Sequence, residues 1–160
     1  MLFSQLEDGS KMKALPFYSD SIILGLPNAP RYQCLLKKKP TINELLTTES
    51  FVWNQSLNEI SCDYLHQMNV EKDDLNIIAE MNSEQLAKNA VIDGLGVSFL
   101  SKISLKCAMK SAEILTYELP LFPSRTFQIV YPHKTQLNDA GKDFVQLLRS
   151  GSFDFDKCMH

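Results

Sequence analysis

The sequence has no apolar run long enough to cross a membrane. Its longest, residues 21–27 and 97–100, fall well short of the ~20 residues a spanning helix needs. Residues 1–13 carry acids and no continuous apolar stretch, so they do not read as a secretory signal. Cysteine is sparse: Cys34, Cys62, Cys107 and Cys158 are widely spaced, with no CxxC pair, and only Cys158 has a histidine, His160, at ligand spacing. That pattern argues against zinc and against a disulfide framework, and for the reduced thiols of a cytoplasmic protein. Charge of either sign is modest, with a formal net charge of -3. The one basic run, Lys37, Lys38 and Lys39, reads as a solvated loop, so this chain is not expected to grip nucleic-acid phosphates itself.

Catalytic signatures are missing as well. There is no GxGxxG, GxSxG or HExxH. Cys62 and His66 share one predicted helix face but lack a third residue to orient them. His133 sits between Pro132 and Lys134 in a loop, and Asp73 with Asp74 reads as a turn. No enzyme, cofactor or metal is therefore expected.

What is present is a folding composition. Hydrophobic residues make up 44% and charged residues 22% of 160 residues, enough for one core or two small lobes. Residues 1–18 read as irregular, with a Gly9-Ser10 turn and Pro16. Ile22, Ile23 and Leu24 form a strand covered on both faces, as in a parallel or mixed sheet. Pro27, Pro30 and the lysines make a loop, and residues 41–46 a helical turn in which Thr41 and Glu44 can form a capping box. A strand over 51–53 leads through a polar turn to a helix over 59–68, with Ile60, Tyr64, Leu65 and Met68 on one face. A strand over 75–79 precedes a helix over 83–93 that buries Leu86, Ala87, Ala90 and Val91. Gly94 stops that helix before a strand over 97–100. A short helix over 101–109, strands over 115–119 and 126–131, and a loop over 132–136 follow. Asn138 caps the last helix, 139–149, with Ala140, Phe144, Val145 and Leu148 as its buried stripe, and the tail from 151 is loose. Repeated alternation of strand and helix is the mark of an α/β lobe.

Two strand-to-helix passages carry the candidate site. Asn82 and Ser83 end one strand in small polar residues at the N-terminus of the next helix. Unpaired amides and the helix dipole there favour a carboxylate or phosphate, although the same residues serve equally as a plain cap. Trp53, Asn54, Gln55 and Ser56 close another strand and can line the same sheet edge, where open α/β sheets bind ligands. Trp53 also reads as a core anchor. Gly94 and Gly96 read first as chain geometry.

Together these pieces resemble the effector-binding domain of LysR-type transcriptional regulators. The best-fitting stretch is residues 82–100. There a polar pair and an amphipathic helix run into DGLGVSFLSK, similar to the family's recurring aGlGialLP, with Ser101 where the family often has proline. FYSDSIILGLPNAP resembles the family strand before its hPl loop, and RTFQIVYPHKTQLNDAGKDFVQLL its closing strand and helix. The resemblance runs from about residue 15 to 148. It implies a periplasmic-binding-protein-like (type 2) α/β lobe with a mixed sheet flanked by helices, acting in transcription regulation in the cytoplasm. It further implies a small effector, often a carboxylate or aromatic acid, in a cleft between subdomains. A homodimer is expected on a separate ground, the stripe Phe144, Val145 and Leu148 that a missing first subdomain would leave bare. The implied ligand contacts are Trp53, Asn54, Gln55, Ser56, Asn82 and Ser83, with Gly96 and Ser98 nearby.

The family's helix-turn-helix has no counterpart here, so DNA is expected to be reached only through a domain outside this chain. Most of the first subdomain is also expected to be missing. Residues 1–21 then form its remnant and crossover, 22–125 the second subdomain, 126–150 the crossover strand and C-terminal helix of the first, and 151–160 a tail. The alternatives are a lobe of a solute-binding protein, or a ligand-free oligomerisation fragment whose Phe144, Val145 and Leu148 are left as an apolar patch.

Overall fold

The structure, a computed structural model, describes residues 12–132 and 137–150. His133 with the rest of the expected 133–136 loop, residues 1–11 and the tail from 151 lie outside the described residues. The chain divides into two compact units, one spanning Asp20–Arg125 and the other formed by the chain on either side of it.

The first described element, β1 (Met12–Asp20), corrects the expectation of irregular chain as far as Tyr18. Pro16 is tolerated because, among the described residues, β1 pairs with a single strand, leaving one side that needs no donor. β2 (Ile22–Pro27) is buried at every position. α1 (Pro30–Lys37) is a second correction: this stretch is helix, not loop. Proline in the first turn lacks an N–H that would be unpaired there anyway, and Lys37 in the last turn suits the negative end of the dipole. α2 (Ile42–Thr48) begins with the expected capping box: the Glu44 N–H donates to Thr41 Oγ1 (3.3 Å) and the Thr41 N–H donates to the Glu44 carboxylate (2.6 Å).

β3 (Ser50–Asn54) passes through a 3₁₀ turn, Gln55–Leu57, into α3 (Asn58–Gln67), which buries Ile60, Tyr64 and Leu65. β4 (Asn76–Met81) alternates exposed and half-buried. α4 (Glu84–Ile92) buries Ala87, Ala90 and Val91, but Leu86 is 50% exposed. It sits on the solvent edge of that three-residue stripe and not within it. Gly94, at φ +87°, ends the turn after α4 in the left-handed region. β5 (Ser98–Ser101) follows, then α5 (Lys106–Lys110), which starts later than expected, then β6 (Ile114–Tyr117). β7 (Arg125–Pro132) and α6 (Asp139–Arg149) complete the described chain, and Asn138 Oδ1 caps α6 by accepting from the Gly141 N–H at 2.9 Å.

β2 lies between β5 and β6 and is antiparallel to both, with Ile23 opposite Leu100 and Gly25 opposite Thr116. β3 and β4 are parallel, with Trp53 opposite Glu80 and Asn54 opposite Met81. A parallel bridge between Phe51 and Val97 joins the two ladders: Val52 N–H donates to Val97 O at 2.8 Å and Val97 N–H to Ser50 O at 2.9 Å. The result is a mixed sheet in the order β4-β3-β5-β2-β6. Gly96 permits the bridge, because a Cβ at this position would collide with the Ser50 carbonyl oxygen.

Along β2, β3 and β5 both faces of the sheet are covered. On one, Leu24, Phe51, Trp53 and Phe99 pack with Leu45 and Leu46 of α2 and Tyr64 and Leu65 of α3. On the other, Ile23, Val52 and Leu100 meet Ala87, Ala90 and Val91 of α4 and Ala108 of α5. Each large side chain so buried contributes about 1.5–3 kcal/mol. On α6 only Leu148 of the expected stripe is buried; Phe144 is 53% and Leu147 44% exposed. Among the described residues no helix is long and apolar enough to cross a membrane.

Candidate functional site

The parallel β3–β4 ladder fixes the site's geometry. Its last pair is Asn54 with Met81, so the chain leaves the same sheet edge at Gln55-Ser56 and at Asn82-Ser83. The eight candidate residues divide there by burial. Gln55, Ser56 and Asn82 are exposed and Ser83 is half-buried. Trp53, Asn54, Gly96 and Ser98 are buried.

Of the buried four, Trp53, Asn54 and Ser98 are engaged within the fold. Trp53 is 1% exposed, its indole N–H donates to Asn58 Oδ1 at 3.0 Å, and the Lys72 ammonium lies 4.7 Å above its ring. Asn54 uses both ends of its amide. Its Nδ2 donates to Phe99 O at 3.2 Å, while its Oδ1 accepts from Ser56 N–H (3.1 Å) and Ser56 Oγ–H (2.6 Å). That arrangement shapes the turn after β3 and ties it to β5. Ser98 is fully buried opposite Gly25 in the β2–β5 ladder.

At the surface, Gln55 Nε2 donates to one oxygen of Glu80 at 2.7 Å, and Lys72 Nζ to the other at 2.8 Å. Those hydrogen bonds, Lys72 first, hold the Glu80 carboxyl below its ordinary range. Ser83 caps α4, its Oγ accepting from the Leu86 N–H at 3.3 Å. The neighbouring helix-start amides and the dipole make this end of α4 the natural place for an acceptor or an anion.

Sequence reasoning missed a second polar group in the same unit. Asp20, 1% exposed, accepts from Ser101 Oγ–H (2.6 Å) and from Arg125 (3.1 Å). Glu84 Oε1 accepts from Ser101 N–H (2.6 Å) and Ser104 Oγ–H (2.7 Å). The only advance sign was Asp20 beside the apolar run of β2; its partner Arg125 lies 105 residues away.

Cys62 and His66 each meet a different neighbour. Burial pushes the Cys62 thiol up, its sulfur lies 4.0 Å from Asn58 Oδ1, and the His66 ring nitrogen lies 3.3 Å from Glu71.

The family model for the LysR substrate binding domain matches residues 1–152. A probable RuBisCO transcriptional regulator from Trieres chinensis is 32% identical over 116 residues, covering 67% of this chain and 36% of the relative. The corresponding regulator from Thalassiosira pseudonana is 30% identical over 106 residues, 64% of this chain and 34% of that one. The chain thus spans about a third of the length of these curated relatives. Among solved structures, the Synechocystis PCC6803 CcmR regulatory domain in complex with 2-PG superposes with a TM-score of 0.72. It is 18% identical, covering 94% of this chain and 71% of that one. The effector-binding domain of QuiR in complex with shikimate gives a TM-score of 0.68 at 14% identity, covering 92% and 68%. These likenesses establish a type 2 periplasmic-binding-like α/β fold. With the family model spanning nearly the whole sequence, this chain belongs to the LysR substrate-binding domain family.

Proposed function

We propose that this chain is the sensing part of a cytoplasmic LysR-type regulator and takes a small anionic metabolite at the edge where β3 and β4 end. The observation that carries this reading is the shared exit at the Asn54–Met81 pair, which sets Gln55-Ser56 beside the amino end of α4 at Asn82-Ser83. In this reading Gln55, Ser56, Asn82 and Ser83 touch the ligand. Trp53, Asn54, Gly96 and Ser98 hold the frame that aims them. Residues 22–125 act as the family's second subdomain, residues 126–150 return to the first, and the surface described is one wall of the effector cleft. DNA contact belongs to a helix-turn-helix domain elsewhere in a longer protein. Two relatives of this fold bind small polar molecules, 2-PG and shikimate, which supports a ligand of that kind.

Titration with 2-PG or shikimate tests the placement by backbone amide NMR. The expected response is a saturable shift at residues 82–85 and 55–56, with Kd about 1 mM or weaker because one wall buries few ligand atoms. Shifts confined to other parts of the unit would sink it.

A second reading, homodimer formation through α6, is favoured by the exposure of Phe144 and Leu147 on one helix.

A further inference from the structure

Asp20 is the first residue of the larger unit and Arg125 the last, and their side chains meet at 3.1 Å. Their ion pair joins the points at which the chain enters and leaves the unit. It does not stand alone. Ser101, the last residue of β5, donates its hydroxyl to Asp20 and its N–H to Glu84. Ile103 N–H reaches the other Asp20 oxygen at 3.4 Å, and Lys102 N–H donates to Ser21 O at 2.8 Å. Arg125 also lies 3.9 Å from Glu84 Oε2.

Glu84 is the first residue of α4 and directly follows Ser83. An acidic residue there commonly does no more than face its own helix amides. Glu84 instead turns its carboxylate, 20% exposed, towards Ser101, Ser104 and Arg125. Hydrogen bonds to an ionised acceptor are short and about twice as strong as neutral ones. Moving the start of α4 therefore breaks several of them at once. Two carboxylates, Asp20 and Glu84, also share one guanidinium. A further anion beside Ser83 changes how Arg125 divides itself between them, whereas a neutral ligand at the same place does not.

We infer that Glu84 and Arg125 are positioning residues of a charge relay: an anion at the amino end of α4 is felt, through Glu84, Ser101 and Arg125, at Asp20 and at both chain connections. The relay rests on the ligand placement proposed above, and its test separates the two. Without ligand, Glu84→Gln keeps an oxygen acceptor but removes the charge. It should shift the Arg125 side-chain N–H signal and raise amide exchange at Ile103 and Ser104 about fivefold, with the circular dichroism unchanged. Changes confined to residues 84–87 would overturn the relay. If E84Q does not fold, Arg125→Lys takes its place, with the same amides read.

With ligand, shikimate should move amides 82–85 and the Arg125 signal with one common Kd. Shikimate methyl ester should move the amides and leave Arg125 where it is. In E84Q, shikimate should still move the amides but no longer Arg125. Amide shifts without an Arg125 response in the native sequence, or an equal response to the ester, would overturn the coupling. No shift at 82–85 with either compound overturns the ligand placement and the relay with it, while the ligand-free comparison decides whether Glu84 positions Arg125 at all.

Discussion

Single atoms decide much of this fold. A Cβ at Gly96 would fall on the Ser50 carbonyl, backbone that cannot swing aside. At Gly94 the same Cβ meets nothing within 4 Å, but φ is +87°. The two glycines therefore fail differently. Gly94→Ala should cost about 1 kcal/mol from the left-handed backbone alone. Gly96→Ala should cost about 3 kcal/mol, because the parallel bridge at Val97 must open. Urea denaturation checks the order, and equal costs would contradict the account. Both glycines could be read as chain geometry from the sequence. The roles of Asn54 and Ser98 could not: a short polar residue at a strand end looks the same whether it awaits a ligand or, like Asn54, satisfies Phe99 O and Ser56 across the turn.

Elements were legible where the signal was local. The apolar runs of β2 and β3, the face of α3, the capping box of α2 and the cap and stop of α4 all lie within a few residues of one another in sequence. α1 was missed because Pro30 followed by lysines reads as a breaker, whereas proline at a helix start is a beginning. β1 was missed because its strand character comes from pairing with β7, more than a hundred residues later. The Asp20–Arg125 cluster has the same cause.

The β3–β4 edge yields a pH prediction. Glu80 is held below the ordinary glutamate range by Lys72 and Gln55, so its stabilising contribution is fully present above the unfolded pKa. It is lost as the pH falls through the lowered folded value. The Glu80 carboxyl carbon should titrate below a peptide glutamate by NMR, and the Gln55 side-chain amide should follow with the same midpoint. A Glu80 midpoint at or above the peptide value would remove the tie between β4 and the turn after β3.

At the scale of the molecule, the chain is a domain of a family whose curated relatives it matches over about a third of their length. A surface that a longer protein covers can stand open in a part of it. Phe144, 53% exposed on α6, behaves accordingly: Phe144→Ala should change stability by less than about 1 kcal/mol, not the 3–5 of a buried phenylalanine. If α6 mediates self-association, Phe144→Asp should lower the sedimentation-derived dimer constant about tenfold or more. An unchanged constant would move the interface elsewhere.

The covered sheet has one more consequence. In a sheet wetted on one side, polarity keeps each strand in step, because a slip of one residue drags apolar groups into water. Along β2, β3 and β5 both sides are dry, and that penalty is absent. Size does the work instead. The α4 side is lined by Ala87, Ala90 and Ala108 and has room for Ile23, Val52 and Leu100, while the other side takes Phe51, Trp53 and Phe99. A one-residue slip of β3 or β5 would drive an indole or a phenyl ring against alanines and leave a hollow behind. Pairing in this sheet is proofread by volume.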